Sequence, residues 1–91
     1  MQSTELEEFK LDLLYTLSEV GMHFEIYRQY SNIEYFVLSG ILLYSMGRQA
    51  EEITFKIHLL ANFVTIILGD RSSISAVNAG ELVNNVYNLL I

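Results

Sequence analysis

Apolar residues recur along the first part of the chain at steps of three and four, at Leu6, Phe9, Leu13, Leu17 and Val20. That spacing lines one face of a helix. Thr4 followed by Glu7 is a capping-box pair that opens it, and Gly21 supplies a stop. A shorter segment, Met22 to Tyr30, carries Phe24, Tyr27 and Tyr30 at helical spacing. Ser31 and Glu34 repeat the capping pattern, and the apolar run from Phe36 to Met46 then ends at Gly47. From Gln49 to Leu68 a fourth helix is expected, with His58, Asn62 and Thr65 as a narrow polar stripe on an apolar rod. Gly69 and Asp70 break it. A last helix is expected from Ile74 to Ile91, with Ile74, Val77, Leu82, Val86 and Leu89 on one side.

The expected fold is therefore all-α: a single domain, residues 1–91, of about five helices arranged as stacked antiparallel hairpins that turn at Gly21 and Gly47. Gly40 lies inside the helix expected before Gly47, where it costs roughly 1 kcal/mol relative to alanine. Its smallness is expected to admit a crossing helix.

Composition adds a demand for a partner. Hydrophobic residues make up 52% of a 91-residue chain, and the mean hydropathy is +0.32. A chain this short has much surface and little interior, so some of that apolar surface should meet another molecule. Eleven acidic side chains against five basic ones give a net charge of −6. With the basic residues scattered, nucleic acid is not an expected partner, because phosphate binding requires a positive face. The acidic first helix is a solvated face, or else a surface that steers a basic partner inward. There is no cysteine, hence no disulfide or thiolate site. The acidic N-terminal decapeptide does not read as an export signal. The apolar run Ile57–Leu68 is shorter than the roughly 20 residues of a membrane span.

Catalytic chemistry has little to build on. His58 with Glu51 or Glu52 is the nearest approach to an acid–base pair, at six or seven residues' separation. No metal-ligand spacing and no phosphate-binding glycine loop occurs, so no cofactor is expected and the chain reads as a non-enzyme.

The segment IEYFVLSGILLYSMGRQAEE resembles the first helix and turn of a tetratricopeptide hairpin, through Phe36, Gly40, Leu43 and Gly47. The following segment departs from that pattern at Gln49, Glu52 and Lys56. More narrowly, LLYTLSEVGMHFEIYRQ and VLSGILLYSMGRQAEEI are similar to the tetratricopeptide-like co-chaperones of bacterial type III secretion needles. The resemblance implies a cytoplasmic virulence-associated chaperone. It would hold the needle subunit in a heterotrimer with a second, small coiled-coil chaperone and so prevent premature polymerisation. If the two hairpins stack with their turns aligned, Leu11, Tyr15 and Ser18 of the first correspond to Val37, Ile41 and Tyr44 of the second. These six form the expected partner-binding concave face. The alternative is a small acidic helical regulator that acts by protein–protein binding or homodimerisation.

Overall fold

A computed structural model describes residues 3–31, 34–70 and 73–90, without the side chains of residues 3, 17–20 and 46. It overturns the all-α, tetratricopeptide-like expectation. Two helices, α1 (Ser3–Val20) and α2 (Ala79–Leu90), flank a five-stranded antiparallel sheet: β1 (Met22–Ser31), β2 (Phe36–Met46), β3 (Gln49–Leu59), β4 (Val64–Leu68) and β5 (Ser73–Ala76). Strand order follows chain order, so every connection within the sheet joins neighbouring strands.

The physical reason is the period of the side chains. Met22, Phe24 and Ile26 alternate with His23 and Glu25, and Ile53, Phe55, Ile57 and Leu59 alternate with Thr54, Lys56 and His58. In an extended chain, alternate residues share one face. The first set therefore turns inward as a sheet surface, and the stripe His58, Asn62 and Thr65 expected on a helix does not form: His58 is on β3, Asn62 in the β3–β4 connection and Thr65 on β4. The capping pair Ser31 and Glu34 has no helix to cap, since Ser31 ends β1 and Phe36 starts β2. Between them, residues 32–33 lie outside the described residues.

Glycine retains its role as punctuation. Gly21, at φ 73°, joins α1 directly to β1, and Gly47, at φ 65°, with Arg48 forms the two-residue loop between Met46 and its partner Gln49. A glycine at the first loop position suits the primed turns that match strand twist. Gly40 does not admit a crossing helix. It is paired with Ile26 and Phe55 in the middle of the sheet, where the β1–β2 register shifts between Ile26 and Arg28 and leaves Tyr27 as the extra residue of a bulge. The bulge carries the Glu25 carbonyl into the space a β-carbon at position 40 would occupy.

The core fills one face of the sheet. Phe24, Leu38, Leu42, Phe55, Ile57, Val64, Ile66 and Leu68 point to that face and are buried. α1 covers it with Leu6, Phe9 and Leu13 and α2 with Leu82, Val83, Val86 and Leu90, all of one continuous cluster. α1 packs on β1 and α2, whereas α2 packs on β4 and β5. Phe24 and Phe55 meet edge to face with centroids 4.8 Å apart, from strands on either side of β2. The C-terminal expectation is corrected in part: Ile74 belongs to β5, while Val77 and Leu89 are exposed.

Substituting Gly40→Ala should lower stability by about 1–3 kcal/mol, the usual cost of forcing extra volume into closely packed structure. Urea unfolding checks it. A midpoint unchanged from the unmodified chain would contradict the close approach of Glu25.

Candidate functional site

The six residues expected to form one concave face are separated. Leu11 and Tyr15 stand one turn apart on the outward face of α1, 66% and 75% exposed. The Ser18 side chain lies outside the described ones. Val37 and Ile41 are half-buried on the sheet face that no helix covers, while Tyr44 is turned to the opposite face and packs at the margin of the core. The structure thus unites Leu11 with Tyr15 and Val37 with Ile41, and unites neither pair with the other. The stacking of helical hairpins that grouped them does not occur.

A different concavity lies between packed elements. It is a groove of about 230 Å³ bounded by α1, the β3–β4 connection and the start of α2. Glu5, Glu8 and Asp12 border it on the helix side, and Phe9, Leu59, Phe63, Val64 and Val77 supply apolar surface. The three carboxylates recur at steps of three and four, which brings them to one side of α1. Phe9 and Leu13, on the adjoining side, anchor the helix in the core and fix the direction in which the acidic row points. Phe63 and Val77 are 44% and 66% exposed. They belong to the two connections that close the other side of the groove.

Both connections are held by backbone hydrogen bonds. The Leu60 N–H donates to the Phe63 carbonyl at 3.0 Å and so turns the β3–β4 connection. Asn78 caps α2: its side-chain oxygen accepts from the Glu81 N–H at 2.9 Å, and its carbonyl accepts from the Leu82 N–H at 3.0 Å. On the far side of α1, Lys10 pairs with Glu7 at 3.2 Å and donates to Gln29 of β1 at 2.9 Å. The one basic residue of the described part of α1 is therefore turned away from the acidic row.

A second, wider concavity of about 380 Å³ lies at the flank of the β2–β3 hairpin, against Met22, His23, Leu43, Tyr44 and Glu51. It is a surface hollow beside a projecting arm, where residues Gln49 to Glu52 are exposed. The groove beside α1 is the better candidate because three elements wall it.

Other chemistry is sparse among the described residues. No group of three His, Asp or Glu residues is placed to hold a metal ion, and no helix is long and apolar enough to cross a membrane. His58 stacks on Tyr35, with centroids 6.1 Å apart, and its Nε2 is buried without a hydrogen-bond partner. It stands apart from Glu51, which faces the other side of β3. On β1 the Tyr27 hydroxyl donates to Glu25 at 2.7 Å, and this bond to a carboxylate raises the phenol's pKa above its ordinary value. No protein-family model, curated protein or solved structure matches this chain.

The acidic row was readable from the sequence as a solvated helix face. The opposite wall was not, because Phe63 and Val77 come from connections over which the apolar pattern predicts helix. Asn78→Ala should cost about 1 kcal/mol, the usual value of an N-cap, and Asn78→Asp should retain most of it. Thermal unfolding of the two variants makes the comparison; equal losses would remove the cap from the account.

Proposed function

We propose that this chain is a non-catalytic binding module whose α1 groove receives a basic, amphipathic segment of a partner protein. The observation that carries the reading is the juxtaposition of Glu5, Glu8 and Asp12 with the exposed apolar surface of Phe63 and Val77. Carboxylates along one side and apolar surface along the other match a segment with lysine or arginine on one face and large aliphatic residues on the other. This is the helix-in-groove mode of recognition, with the apolar contact supplying affinity. The net charge of −6 would draw such a segment in from a distance.

The narrower expectation, a co-chaperone of a secretion needle subunit, rested on a helical hairpin over residues that form β2 and β3. The partner is accordingly specified by its chemistry. Binding without catalysis is common to both expectations, and this reading keeps it.

A fluorescent peptide patterned with leucine on one helical face and lysine on the other is the test, with an acidic counterpart as control. Anisotropy should show binding of the basic peptide alone, weakening as salt rises. Combining Glu8→Lys with Asp12→Lys should reduce affinity about tenfold, since two rim charges each contribute modestly. Asp70→Lys, at the β4–β5 turn, should change it little. Amide shifts on titration should cluster at Phe9, Phe63, Val64 and Val77. Shifts confined to another surface, or equal affinity for the double variant, would refute the groove.

A further inference from the structure

No helix covers the other face of the sheet, where Tyr35 stacks on His58 at one end, and its side chains are ordered in a way the groove does not explain. Four rows cross it from β1 through β2 to β3. The rows are His23–Leu43–Glu52, Glu25–Ile41–Thr54, Arg28–Ser39–Lys56 and Tyr30–Val37–His58. An apolar stripe of Leu43, Ile41 and Val37 therefore runs along β2, interrupted by the small Ser39. The carboxylates lie at one end, in the first two rows. The cations Arg28 and Lys56 lie together in the third. Neither cation has an ion-pair partner among the described residues. Two of the five basic side chains of an acidic protein thus stand on one face beside two carboxylates, which leaves that patch near neutral.

We infer that this face binds a second copy of the same chain, in a two-fold dimer whose β2 strands run antiparallel across the interface. A two-fold axis perpendicular to the strands at the level of Gly40 exchanges the rows. The Ile41 row then lies over the Ser39 row of the other copy, and the Leu43 row over the Val37 row. Glu25 comes opposite Arg28, twice, and Glu52 comes within one row of Lys56. Ile41 meets the small Ser39, so large and small residues alternate across the contact. The other simple arrangement, with the axis along β2, lays Arg28 over Lys56 and Ser39 over Ser39. It sets like charges together and leaves a gap. Charge complementarity hence selects the antiparallel dimer. Sheets pack face to face at about 10 Å with strands near alignment, a geometry that these long strands can meet. The groove beside α1 is on the helix side and remains open in both copies, so dimerisation and peptide binding stand or fall separately.

Sedimentation equilibrium over a concentration series tests the inference on the full chain. The unmodified protein should move between 10.5 kDa and twice that mass, with the dimer weakening at high salt. Glu25→Lys and Arg28→Glu should each weaken self-association about tenfold or more, since each sets like charges opposite one another. An equimolar mixture of the two variants should recover the dimer, because position 25 of one then meets an opposite charge at position 28 of the other. Circular dichroism establishes that both variants are folded. Should either fail to fold, concentration-dependent amide shifts of the unmodified chain replace the mixing experiment. They should gather at His23, Ser39, Ile41, Leu43 and Lys56 and spare α1 and α2. A monomer at every concentration overturns the inference, as does a dimer that neither variant weakens or shifts confined to the helices. Two weakened variants that do not recover on mixing overturn the antiparallel arrangement.

Discussion

The close approach of β1 to β2 at Gly40 is the constraint on which the rest of the sheet depends. Gly40 is shared by two pairings, with Ile26 on one side and Phe55 on the other. Only a residue without a β-carbon leaves room for the Glu25 carbonyl that the bulge at Tyr27 brings there. Beyond the bulge, the register of β1 is displaced by one residue relative to β2. A displacement of one moves every later side chain to the other face. Because of it Arg28 and Tyr30 join His23 and Glu25 on the uncovered face, while Gln29 turns toward α1, where Lys10 meets it.

The two sides of the molecule carry different electrostatics as a consequence. Helix α1 presents Glu5, Glu8 and Asp12 to solvent, and its Lys10 meets Glu7 and Gln29 of β1. The uncovered sheet face sets carboxylates and cations in successive rows. An acidic helix side attracts a positive partner over a distance set by salt, while a locally neutral face with ordered charges favours one orientation of a close contact. The high apolar content is divided accordingly. Most of it fills the single core between sheet and helices; Phe63 and Val77 remain exposed at the groove, Leu11 and Tyr15 on the outward face of α1, and Val37, Ile41 and Leu43 line the centre of the open face.

The elements differ in how far they could be read from the chain. Helix α1 was legible because Leu6, Phe9 and Leu13 recur at one helical period with polar residues between them. Gly21 and Gly47 were legible as turns, since both adopt a left-handed conformation that other residues avoid. β2 was not. Its open face carries Val37, Ile41 and Leu43, so both faces are apolar and the alternation that marks a strand is erased. A short apolar run of this kind has no period of its own to distinguish helix from strand. In β3 the alternation of Phe55, Lys56, Ile57 and His58 is present, but the helix expected from Gln49 to Leu68 runs straight through it. For the groove, the row Glu5, Glu8 and Asp12 was visible, but its other wall depends on where Phe63 and Val77 arrive after the strands have paired.

By itself the sequence determined the first helix, the glycine turns, the net acidity and the surplus of apolar surface, because each is a property of composition or of residues a few positions apart. Tertiary structure alone decided the register of β1 on β2, the side of the sheet to which each apolar residue of β2 turns, and the meeting of α1 with the β3–β4 connection. Those depend on contacts between residues far apart in the chain. Pairing energy in a sheet resides in cross-strand neighbours, and these do not exist until the strands are side by side.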